Sequence, residues 1–90
     1  MNRILVTEPI AEEGLAFLRA KAHVDVVAGM PRADLLTAIG EYDALVVRSA
    51  TKVDAELLNA GKKLRVVGRA GTGVDNIDVE SATRTGIVVV

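Results

Sequence analysis

The chain has no cysteine, no tryptophan, one histidine and only two aromatic side chains, Phe17 and Tyr42. Without cysteine there is no disulfide framework and no thiolate metal site. A lone His23 cannot make a zinc site by itself. So few aromatics leave the core to Val, Leu, Ile and Ala, which suits aliphatic layers of helix and sheet. Charge of one sign is also missing. Eleven basic and 12 acidic residues give a net charge of −1, so no basic field exists to draw nucleic acid. The longest apolar runs are four or five residues, too short to cross a bilayer. The opening "MNRILVTEP" is not a signal peptide. These absences predict a soluble cytoplasmic domain with no metal, membrane or nucleic-acid partner. Ninety residues allow one small domain, burying roughly 60–65% of the surface its unfolded chain exposes.

What is present alternates in type. Short aliphatic runs at 3–7, 44–47, 64–67 and 87–90 read as strands buried on both faces. "HVDVV" at 23–27 alternates polar and apolar, as a half-exposed edge strand does. Between the runs lie helical stretches. Pro9 suits a first helical turn, with Glu8, Glu12 and Glu13 as a favourable acidic helix start. Ile10, Gly14, Leu15, Phe17, Leu18 and Ala22 then share one helical face. Leu35, Leu36 and Ile39 mark a second helix, stopped near Gly40. Asp54 caps a third, ended by Gly61, and Asp78 caps a fourth, stopped by Gly86. The sum is βαβαβαβαβ, a parallel α/β domain. With the alternating strand at an edge, the order is 2-1-3-4-5, a flavodoxin-like three-layer fold.

The stretch "VVGRAGTGVDNID" resembles a phosphate-cradling loop. As a dinucleotide fingerprint it is weak: the third glycine of G-x-G-x-x-G is Asn76, and the place of the usual acidic residue, about 20 positions on, falls beyond Val90. It is still a binding loop by position. Ligands of open α/β sheets sit beyond the carboxyl ends of the strands, and glycines let the backbone approach an anion. Arg69 lies in this loop, and Arg48 and Ser49 end the neighbouring strand. Two guanidinium groups, a hydroxyl and a row of amides suit a small anion with two acidic groups. The competing reading pairs each arginine with a surface carboxylate, for which Asp43, Asp54, Asp75 and Asp78 are candidates. Asp75 and Asn76 read as turn-formers and caps, and His23 as an ordinary surface histidine.

At these residues the chain resembles the D-3-phosphoglycerate dehydrogenases, of the D-isomer-specific 2-hydroxyacid dehydrogenase family. The "RSATKV" and "GRAGTGVDNID" blocks carry the likeness most specifically, and "RILVTEPIAEEGLAFL" suits it. The resemblance implies an NAD-dependent oxidation of 3-phosphoglycerate to 3-phosphohydroxypyruvate, which begins serine biosynthesis. It implies that Arg48, Ser49, Arg69, Gly71 and Gly73 contact substrate and that Thr72 lies close to NAD. The family's nucleotide-binding domain and its catalytic Arg, Glu and His lie further along the chain. Residues 1–90 are therefore expected to be the N-terminal part of a substrate-binding domain. Alone it should be inactive, with no cofactor of its own and a weak affinity for the anionic substrate. A free-standing or engineered flavodoxin-like module with a structural or signalling role is the alternative. No helix follows the last strand, so one sheet face should be uncovered, and a homo-oligomer through that face is expected.

Overall fold

In a computed structural model, which describes residues 2–71 and 75–90, the chain forms one five-stranded parallel sheet in the order β2-β1-β3-β4-β5. The strands are β1 (Arg3–Val6), β2 (His23–Val26), β3 (Ala44–Val47), β4 (Val66–Arg69) and β5 (Val88–Val89). Between them lie α1 (Glu12–Arg19), α2 (Arg32–Ala38) with a 3-10 turn at Ile39–Glu41, α3 (Ala55–Ala60) and α4 (Val79–Thr85). This is the flavodoxin-like order expected from the alternating second strand, which does lie at the edge.

Parallel registration sorts the strand side chains onto two faces. Leu5, Leu45 and Val67 stand in one row, and all three are fully buried. They pack with Val47 against Leu35, Ile39, Leu57, Leu58 and Ala82 from α2, α3, α4 and the 3-10 turn. At about 1.5–3 kcal/mol for each fully buried aliphatic side chain, this layer is the main source of stability. The opposite row contains Ile4, Ala44, Val66 and Val88. There α1 supplies the cover, with Leu15 buried, but its cover stops short of β5.

Three local expectations need correction. The fourth strand runs Val66–Arg69 and not 64–67, so Arg69 closes the strand where a loop position was expected. The first helix begins at Glu12, after an extended Ala11, so Pro9 lies in the approach and not in a first turn. Phe17 shares the helix with Leu15 yet is 63% exposed. It lines an open apolar groove of about 390 Å³ with Gly14, Leu18, Val46, Gly68 and Val90, and Lys21 Nζ lies 5.0 Å from its ring centre. The helical period sets a face correctly but cannot say whether anything sits opposite each position.

The capping residues behave as their types demand. Asp54 accepts from the Leu57 amide at 3.1 Å and Asp78 from the Ser81 amide at 2.9 Å. Gly86 ends α4 at φ 78°. Among the described residues no helix is long and apolar enough to cross a membrane, and no group of acidic and histidine side chains is placed to hold a metal.

Candidate functional site

Parallel strands put all their carboxyl ends on one side, so the loops that leave β3 and β4 are neighbours. Val47 is the register partner of Arg69, and the Ala70 amide donates to Val47 O at 2.8 Å. The two loops continue to pair beyond the sheet. The Val53 amide donates to Asn76 O and the Asp78 amide to Val53 O, both at 2.8 Å. Arg48, Ser49, Arg69 and Gly71 are thus held on one rim.

Asn76 joins these parts. Its Nδ2 donates to Arg48 O at 2.6 Å and to Thr51 O at 2.7 Å, while its Oδ1 accepts from Arg69 Nε at 2.9 Å. Its role is wider than the turn-former and cap expected from sequence. Gly71 has φ 143°, and a Cβ there would lie 3.2 Å from Arg69 Nη1. The glycine therefore leaves room for the guanidinium as well as for the backbone turn.

Arg48 is exposed, and its Nη1 donates to Pro9 O at 3.3 Å. Of its proposed carboxylate partners, Asp43 instead accepts from the Arg3 amide at 2.8 Å. Asp54 bonds and pairs with Arg32, and Asp78 is committed to Ser81. Ser49 is exposed and borders a groove of about 550 Å³ that also includes Asp54, Asp75 and Asp78. Those carboxylates repel an anion, so the favourable side of the rim is the one carrying the arginines. Thr72 and Gly73 lie outside the described residues.

Glu8 also belongs to this rim, contrary to its reading as a helix-start acid. It is 9% exposed. Its Oε2 accepts from the Arg48 amide at 2.6 Å and the Thr51 amide at 3.1 Å, and its Oε1 from the Ala50 amide at 2.9 Å. Burial alone would raise its pKa. The amide bonds from Ala50, Arg48 and Thr51 outweigh that and hold the carboxyl below the ordinary range. Beside it the Thr7 and Thr51 hydroxyls are 2.8 Å apart.

His23 stands at the amino end of β2, paired with Asp25 at 3.0 Å. It is at the far end of the sheet from the arginines. Asp25 also accepts from the Tyr42 hydroxyl at 2.5 Å, which makes this a structural cluster at the sheet edge. A dinucleotide does not fit the glycine loop in the manner of a fingerprint. The position of its third glycine carries the Asn76 side chain, and that side chain is tied to three partners.

Residues 4–90 match the family described as D-isomer specific 2-hydroxyacid dehydrogenase, catalytic domain. A D-3-phosphoglycerate dehydrogenase of Archaeoglobus fulgidus is 52% identical over 89 residues, covering 98% of this chain and 17% of that protein. One from Synechocystis is 49% identical over 90 residues, covering 100% and 16%. The chain thus spans about a sixth of the length of these curated relatives. Among solved structures, a Pyrococcus horikoshii protein superposes with a TM-score of 0.92 at 32% identity, covering all of this chain and 28% of that one. An NAD+-bound 3-phosphoglycerate dehydrogenase of Entamoeba histolytica gives 0.83 at 32% identity, with 98% and 32% covered. The fold, the loop blocks and these likenesses agree: the chain belongs to the D-isomer specific 2-hydroxyacid dehydrogenase family.

Proposed function

We propose that residues 1–90 are the N-terminal part of the substrate-binding domain of an NAD-dependent 3-phosphoglycerate dehydrogenase, serving serine biosynthesis in the cytoplasm. On this reading Arg48, Ser49, Arg69, Gly71 and Gly73 meet the carboxylate and phosphate of the substrate, and Thr72 lies near the nicotinamide cofactor. The observation that carries it is the Asn76 bridge, which fixes Arg69 against the backbone of Arg48 at the carboxyl ends of β3 and β4. Two guanidinium groups, one ending β4 and one just past β3, locked together suit a substrate with two acidic groups. The curated relatives at about half identity, all named D-3-phosphoglycerate dehydrogenases, support the substrate class.

This chain binds and orients; it does not carry out the oxidation. Hydride transfer needs a held cofactor and a positioned acid or base. The single histidine is at the wrong end of the sheet, and the glycine loop lacks the fingerprint. The isolated chain should therefore give no NAD reduction with 3-phosphoglycerate above the blank. Binding should survive weakly, at roughly millimolar affinity or about −4 kcal/mol, because one half of a cleft loses much of its contact. In an NMR titration with 3-phosphoglycerate, the amides of Arg48, Ser49, Arg69 and Gly71 should shift. If they stay still while others move, the anion binds elsewhere and the assignment fails.

A further inference from the structure

Glu8 is a nine-tenths buried charge that the reading above does not use. Its three amide donors all come from residues 48–51, the loop that presents Arg48 and Ser49. The carbonyls of Arg48 and Thr51 in the same loop accept from Asn76. So the loop is gripped from both sides, its N–H groups by a carboxylate and its C=O groups by an amide. Backbone polar groups of a loop in this position would otherwise turn to water and leave its shape unset. A carboxylate is the side chain suited to the first task, since it has only acceptors and can serve several donors at once.

We propose that Glu8 is a positioning residue for the anion site. Its carboxylate fixes the loop at residues 48–51 in the shape that presents Arg48 and Ser49, and touches no ligand itself. The proposal rests on the anion-binding reading above. It makes a prediction of unusual sign. Removing a negative charge beside a cationic site should, by Coulomb attraction alone, strengthen anion binding. If the charge instead organises the site, its removal weakens binding. Glu8→Gln keeps the size of the side chain and one acceptor oxygen but turns an N–H donor group toward the amide donors on the other side, so the grip loses at least one bond and its charge.

The test is phosphate titration of the 90-residue chain by NMR, unmodified and as Glu8→Gln, with a thermal melt of each. The expected result is about a tenfold weaker affinity in Glu8→Gln, equivalent to ~1.4 kcal/mol, in a chain that stays folded. Equal or tighter phosphate binding in a folded Glu8→Gln chain overturns the proposal. Should that variant fail to fold, hydrogen exchange in the unmodified chain decides. The Ala50 and Thr51 amides should exchange at least about tenfold more slowly than that of Ser49, and equal rates would overturn the assignment. No phosphate response at the Arg48 and Arg69 loops of the unmodified chain would defeat the anion-site reading and this proposal's role for it. Protected Ala50 and Thr51 amides would in that case show that the carboxylate grip is structural only.

Discussion

Gly71 and Gly86 both have positive φ, 143° and 78°, yet replacing them should have different consequences. A Cβ at Gly86 meets nothing within 4 Å, whereas one at Gly71 lies 3.2 Å from Arg69 Nη1. Gly86→Ala should cost only backbone strain, on the order of 1–2 kcal/mol, and leave phosphate affinity unchanged. Gly71→Ala, at a φ well beyond the left-handed helical region, should cost more than that and also displace the Arg69 guanidinium, weakening phosphate binding severalfold. Urea melts paired with titrations would check this, and equal affinity in the two variants would contradict the Gly71 argument. The contrast also shows what a sequence discloses at this scale. Arg48, Ser49, Arg69 and Gly71 could be picked out because strand ends and glycines mark the binding rim of any open α/β sheet. Glu8 and Asn76 could not. Their partners lie 40 and 28 residues away, and near neighbours make one look like a helix-start acid and the other like a turn residue.

Helix ends were legible for the opposite reason, since a cap is a contact over three residues. Asp54 and Asp78 each accept the amide three positions on. Asp54→Ala or Asp78→Ala should therefore destabilise the fold by about 1 kcal/mol each. Where a tertiary contact competes, local signals mislead. Glu8 is drawn into the β3 loop, and α1 starts three residues after Pro9. The acids committed to such contacts also set the pH response. Burial opposes ionisation of Asp54, but the Leu57 amide and Arg32 outweigh it and lower its pKa. Asp78 is lowered chiefly by the Ser81 amide and Asp25 chiefly by the Tyr42 hydroxyl, while Glu8 is lowered by its loop amides against its burial. A depressed folded-state pKa gives stability that is full above the unfolded value, about 4 for carboxyls, and is lost as pH falls through the folded value. The urea midpoint should thus hold steady from neutral pH to about 5 and decline below about 4. A midpoint that did not fall by pH 3 would show that these contacts contribute little.

For the molecule as a whole, the two faces of the sheet are unequally covered. Among the described residues, one is sealed by α2, α3 and α4, and the other has α1 alone. Beside α1, Val88 is 58% and Val90 73% exposed, and Val90 and Phe17 line the apolar groove with Val46 and Gly68. Among the described residues β5 pairs only with β4, at the edge of the sheet, and proteins usually shield such an edge. The expected covering partner is a second copy of this chain. Its own Phe17, Val88 and Val90 match the patch in polarity, and the low net charge of −1 offers little repulsion between copies. Two patches meeting would bury the remaining exposed part of six apolar side chains, now 58–73% exposed, worth about 6–12 kcal/mol if fully covered. Lost translational and rotational freedom offsets about 4–15 kcal/mol of that. The two are of similar size, so the expected outcome is a homodimer of weak affinity. Light scattering after size exclusion should therefore give a mass that rises toward twice the monomer at concentrations from tens to hundreds of micromolar. Val88→Lys should return it to the monomer with the fold intact, since that side chain is exposed. A monomer mass across the whole range for the unmodified chain would mean that α1 and solvent satisfy this face without a partner.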